Sequence, residues 1–130
     1  MTGIQIGKAI KALLAASTAI TTAVGTRVFP IVSKEGTSYP FIVYRRGGID
    51  TQYTKDGRAA EVVSADIVIA ATSYATSVEL ADNVRDAIEG KTFVYSDALF
   101  VKGSTLVSAD EDFFEDSNVY TQTLTFNFYL

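Results

Sequence analysis

The sequence predicts an α+β fold: a mostly antiparallel β-sheet with N-terminal helices and one central helix, at about 73–89, packed on one face. Three observations lead there. In residues 61–71 the apolar period is two, with Val63, Ala65, Ile67, Ile69 and Ala71 sharing a face. At Thr72-Ser73 the period changes to 3.6, and Val78, Leu80, Ala81, Val84, Ala87 and Ile88 form a helical stripe. At the C-terminus Tyr120, Gln122, Leu124, Phe126, Phe128 and Leu130 alternate with Thr121, Thr123, Thr125, Asn127 and Tyr129, which predicts a long strand.

The remaining elements follow in order. Ile6, Ile10, Leu13 and Leu14 recur at i, i+4, i+7 and i+8, so residues 3–16 read as an amphipathic helix. Ser17-Thr18 then suits an N-cap for a short helix over 19–24, closed by Gly25. Residues 28–32 form an extended apolar stretch, 33–38 a polar loop, and Pro40 leads into a β-branched and aromatic strand over 41–46. Gly47-Gly48 ends or bulges that strand; a weaker polar strand, 49–54, turns through Asp56-Gly57 into the strand at 61–71. The polar ribbon so formed, residues 49–60, is expected to project.

For the central helix, Thr76-Ser77-Val78-Glu79 fits a capping box, although Ser73 offers a cap one turn earlier. Gly90 stands where a left-handed residue closes a helix. Beyond it, 92–95 is a short strand, and 99–101 with 105–107 predict a hairpin around Lys102-Gly103. Residues 110–118 read as an acidic loop.

The totals restrict function more than they define it. The chain has 130 residues, 48% of them apolar and 20% charged, which suits one domain spanning 1–130. Residues 8–23 imitate a signal peptide, but Lys11 interrupts the apolar run, so no secretion signal is expected; no run is long enough for a membrane helix. The absence of Cys excludes disulfides, thiol nucleophiles and thiolate metal sites. The absence of His excludes a Ser-His-Asp triad and the usual zinc sites. A net charge of −4 argues against binding phosphate backbones as the main task. That charge is uneven, since residues 103–130 hold five carboxylates and no basic group.

Each candidate site has a plainer reading beside it. The run Asp110-Glu111-Asp112 with Glu115-Asp116 carries hard oxygen ligands, but it departs from an EF-hand loop and reads better as a solvated segment. Asp110 with Asp112 or Glu115 could serve as a catalytic carboxylate pair only inside a pocket, and none can be inferred. Gly47-Gly48 and Asp56-Gly57 match no phosphate-cradling spacing. Arg45-Arg46 either docks on an acidic neighbour or simply ends a strand. Phe113-Phe114 lies tucked under its loop or exposed for a partner. The candidate interaction surface is therefore Arg45, Arg46, the ribbon residues Tyr53, Lys55 and Arg58, and Asp110, Asp112, Phe113, Phe114 and Glu115. No catalytic, cofactor-binding or metal-binding residue is assigned; a small-ligand binding module would instead need a deep apolar cavity.

The order of segments resembles the tail-completion, or tail-terminator, family of long-tailed bacteriophages and prophages. The resemblance rests on Ile10-Lys11-Ala12-Leu13-Leu14 leading to Val24-Gly25-Thr26-Arg27-Val28-Phe29-Pro30, and on Tyr39-Pro40-Phe41-Ile42-Val43-Tyr44. It continues through Ala65-Asp66-Ile67-Val68-Ile69 into Ala81-Asp82-Asn83-Val84-Arg85-Asp86-Ala87-Ile88, and ends with Asn118-Val119-Tyr120 and Leu124-Thr125-Phe126-Asn127-Phe128. It implies a non-enzymatic virion protein, assembled in the bacterial cytoplasm, that forms a ring, typically a hexamer, on the head-proximal end of the tail tube. The implied partners are further copies of itself, the tail-tube protein and a neck or head-closure protein, with DNA only passing through; a head-closure adaptor is the alternative. No cofactor and no membrane is implied. Six acidic loops lining the channel would repel passing DNA.

Overall fold

The computed structural model describes residues 3–96 and 99–130, with the side chains of Arg58 and Ala59 outside the description. A 3₁₀ turn (Gly3–Gln5) leads into α1 (Ile6–Ala16) and α2 (Thr18–Val24). Strands β1 (Val28–Pro30), β2 (Phe41–Thr54) and β3 (Gly57–Ala71) precede α3 (Tyr74–Ile88). Then follow β4 (Phe93–Ser96), β5 (Leu99–Val101), β6 (Gly103–Phe114) and β7 (Val119–Tyr129). The main sheet has the order β1-β2-β3-β7-β6, and β4 pairs with β5 separately. Only the β1–β2 pair is parallel among these ladders. This is the α+β architecture that the periods predict.

One face of the sheet holds the core. Val63, Ala65, Ile67 and Ile69 on β3 and Leu124, Phe126 and Phe128 on β7 are buried, together with Ile42 and Tyr44 on β2. Against them pack Ile6, Ile10 and Leu14 of α1, Ile20 and Val24 of α2, and Leu80, Val84 and Ile88 of α3. Each fully buried side chain of this kind contributes about 1.5–3 kcal/mol relative to exposure. Glu61 is buried at the rim of this core and is satisfied: its carboxylate accepts from Gly3 N–H at 2.9 Å and from Thr51 Oγ1 at 3.1 Å. Gly3 is needed there, because a Cβ would come within 2.5 Å of Val63 Cγ2.

Several local expectations change. The hairpin expected around Lys102-Gly103 does not form: β5 pairs with β4, and β6 joins β7 in the main sheet. Lys102 N–H donates to Tyr129 O at 2.7 Å, which swings the chain onto β7, where Leu106 lies opposite Phe126. Residues 110–114 are strand rather than loop, since β7 satisfies their backbone whatever their side chains, and only 115–118 form the turn. Helix α3 starts at Tyr74 with Ser73 at the cap position, so Thr76 to Glu79 is no capping box. Ser77 is buried and donates to Tyr74 O at 2.7 Å, whereas Val78 is 41% exposed and leaves the predicted stripe. Gly47-Gly48 bulges β2 without ending it, and the ribbon turns at Lys55-Asp56, with Gly57 opening β3 opposite Thr54.

The extended stretch at 28–32 also stops early. Strand β1 ends at Pro30, and Ile31 has φ 67°, left-handed and costly for a β-branched residue. Ile31 and the following Val32 are each 71% exposed. We expect Ile31→Gly to stabilise the fold by about 0.5–1 kcal/mol, the relieved strain exceeding the added freedom of the unfolded chain. Thermal unfolding of the two proteins checks this, and a lowered midpoint would count against it.

Candidate interaction surfaces

The sheet's two outer edges and its helix-free face carry the predicted surface residues. Register places Arg45 opposite Asp66, on the face turned away from the helices, and Arg46 opposite Ala65, on the helix-bearing side. Both arginines are exposed. Asp66 does not pair with Arg45; its Oδ1 accepts from Thr125 Oγ1 at 2.7 Å. Arg46 Nη1 donates to Gly47 O at 3.2 Å. Tyr53 is 73% exposed and Lys55 is exposed at the tip of the β2–β3 ribbon, while the Arg58 side chain lies outside the described residues.

The acidic residues lie on the opposite edge. On β6, Asp110 and Asp112 share the helix-free face, aligned with Thr123 and Thr121 of β7, and Glu115 follows in the exposed turn. Asp112 Oδ1 accepts from Phe113 N–H at 2.8 Å. The pair Phe113-Phe114 is exposed on both faces of β6, Phe113 to 40%. Phe113 also leans on Tyr120, with ring centroids 4.7 Å apart and planes tilted by 43°, and Phe114 on the other face is 51% exposed. The structure therefore brings Asp110, Asp112, Phe113, Phe114 and Glu115 together and keeps them away from Arg45 and Arg46.

Sequence reasoning missed a polar cluster on the helix side of β6. Glu111 Oε2 accepts from Tyr74 Oη at 3.0 Å and from Gln122 Nε2 at 3.1 Å, and Gln122 Nε2 also donates to Ser77 Oγ at 3.3 Å. Tyr74 packs edge-on against Tyr120 with centroids 5.7 Å apart. The signal available in sequence was the alternation Glu111, Phe113 against Asp110, Asp112, which reading the segment as a loop concealed.

The larger clefts are open to solvent: one of about 490 Å³ lies between α1, α2 and α3, and one of about 450 Å³ lies between α3 and strands β6 and β7, with Tyr74, Glu111 and Gln122 in its lining. Tyr74, Glu111, Asp112, Phe113 and Tyr120 line an open cleft of about 240 Å³. The most apolar cleft, about 250 Å³, lies between α1, α2 and Val28, below the roughly 300 Å³ at which ligand pockets begin. Among the described residues, no three acidic groups converge as metal ligands, and no helix is long and apolar enough to cross a membrane.

The hydrogen bond from Tyr74 to Glu111, the carboxylate's charge and slight burial together raise the Tyr74 pKa above the ordinary phenol value. The contact is thus present below that ordinary value and is lost as pH rises through the raised one. In Glu111→Gln, we expect Tyr74 to ionise at lower pH than in the unaltered chain. Tyrosinate absorbance, with Tyr74→Phe as the reference that lacks the group, measures this; an unmoved titration would show that Glu111 is not the cause.

Comparison with known proteins bears on the whole chain. The family described as Tail completion protein gp17 matches residues 8–130. A chain from the solved structure titled "Virion of native gene transfer agent (GTA) particle" superposes with a TM-score of 0.76 at 22% identity, covering 92% of this chain and 90% of that one. At this identity the likeness establishes a shared fold. No curated protein sequence matches significantly. Matched over nearly its whole length, through both sheet edges and all three helices, the chain belongs to the tail completion protein gp17 family.

Proposed function

We propose that this chain is a structural protein of a phage tail, one domain over 1–130, that closes into a ring on the head-proximal end of the tail tube. The ring ends tube polymerisation and offers its other side to a neck or head-closure protein, with DNA only passing through. Family membership over residues 8–130 carries the reading. A sheet with two open edges supports it, because identical subunits that present different patches to one another build rings. Family membership supports a role through surfaces, and no catalysis, cofactor or membrane is proposed.

The candidate surface divides between these tasks. The ribbon bearing Tyr53, Lys55 and Arg58 is proposed to reach a neighbouring protein of the tube or neck, since an exposed ribbon edge can add strands to a partner sheet. The test is removal of the chain from particle-producing cells, followed by electron microscopy. Overlong or unjoined tails, restored to normal by supplying the chain, are the expected result. Tails of normal length that fail only to join would favour the head-closure reading, and normal joined particles would overturn both.

A further inference from the structure

Charge on this molecule is left largely unpaired. Among the described residues the one ion pair is Arg85 with Glu89, a helical turn apart at 2.5 Å. Among the described residues, Arg45 and Arg46 therefore have no carboxylate within ion-pair distance, and neither have the five carboxylates of residues 110–116 a cation. Packing so many like charges into seven residues is unfavourable in the isolated chain, and an outside cation would relieve it.

Both charge groups lie where the sheet is open. Strand β1 pairs with β2 only as far as Tyr44. Ile31 N–H donates to Tyr44 O at 2.8 Å, and the left-handed turn at Ile31 then ends the pairing. From Arg45 onward, no strand among the described residues lies beside the outer edge of β2. Strand β6 is the other terminal strand; its Ser104 carbonyl accepts from Gly90 N–H, and beyond that its outer edge is likewise unpaired by a strand.

We infer that the acidic end of β6 and its turn, residues 110–116, docks against the β2 edge at Arg45-Arg46 of the next copy of this chain. The inference rests on the ring reading and names its subunit contact. Four features support a second copy as the occupant. The two patches are opposite in charge and lie on opposite edges, so the contact is head-to-tail and can close. Three antiparallel steps separate β2 from β6, so neighbouring copies related by a simple step present antiparallel edges. The faces agree as well: Arg45 shares the helix-free face with Asp110 and Asp112, while Arg46 and Glu111 share the helix-bearing one. Exposed apolar groups stand beside both patches, Phe114 at the acidic end and Ile31 and Val32 at the basic one, as the centre of a protein contact requires.

The stagger permits closure. Arg45 aligns through Asp66 and Thr125 with Ser108, and Asp112 aligns with Thr121, four positions away along β7. That offset is about 14 Å against about 19 Å for four strand spacings, so the strands would incline by roughly 35°, as they do in closed barrels.

The chain contains no Cys, which makes site-directed cross-linking clean. Arg45→Cys and Asp112→Cys, both at exposed positions on the helix-free face, are introduced singly and together. Within one copy these sites are roughly 20 Å apart by strand spacing and rise, too far for a short bis-maleimide. The proteins are mixed with tail tubes from particles lacking this chain, cross-linked, and sized both by denaturing gel and by native light scattering. A ladder that ends at one closed size in the double variant, with no ladder in either single variant, is the expected result. Ring-sized species without a ladder would overturn this contact and leave the ring standing, with the carboxylates free to line its channel. Neither rings nor a ladder would overturn both readings. As a second measurement, Arg45→Glu should lose ring formation and Arg45→Glu with Asp112→Lys should recover it; failure to recover would count against direct charge pairing.

Discussion

The antiparallel pairing of β3 with β7 is the constraint on which the rest of the structure depends. Ten consecutive register pairs, from Val62 with Tyr129 to Ala71 with Tyr120, run without a bulge. Because the side-chain period is two, that register puts Val63, Ala65, Ile67 and Ile69 on the same face as Leu124, Phe126 and Phe128. A slip of one residue would turn either set to solvent. The helices then have one place to go, because only this face offers apolar area to match their stripes.

Placing β3 and β7 at the centre determines what is left at the margins. Strand β2 can extend past its short partner β1, and β6 can extend along β7 with nothing outside it, so both margins end as open edges. Open edges of this kind are normally blunted by charge, and here the two margins carry opposite signs. Charge that serves solubility on a single chain becomes selective between copies, because like edges repel and unlike edges attract. The helix-free face is the other consequence: its residues Val43, Val62, Val68 and Thr123 are half-buried among their sheet neighbours, while the three helices pack on the opposite side.

Legibility in sequence followed the strength of local signals. The long strands and α3 were readable because their periods repeat over ten or more residues, and α2 because Ser17 and Gly25 bracket it. Ser17 Oγ does accept from Ile20 N–H, at 3.4 Å, and Gly25 takes φ 60°. The edge strand β6 was not readable past Ser108. Its exposed carboxylates look like a loop, since nothing in their own chemistry favours a sheet, and only the facing β7 backbone holds them there. Val78 departs from its stripe for a related reason: helical spacing marks a stripe's width, but the position of the sheet decides whether Ser77 or Val78 is covered.

By itself, then, the sequence determined the α+β class, the order of most elements, the composition of the core and the concentration of negative charge in the last quarter of the chain. These are properties of segments, and segments announce them through periodicity and capping. Only the tertiary structure decided that β6 leaves β5 for β7, that Tyr74 and Gln122 converge on Glu111, and that Arg45-Arg46 and residues 110–116 end on opposite margins. Those facts depend on which strands become neighbours, and pairing between segments far apart in sequence is chosen by the burial of the whole core.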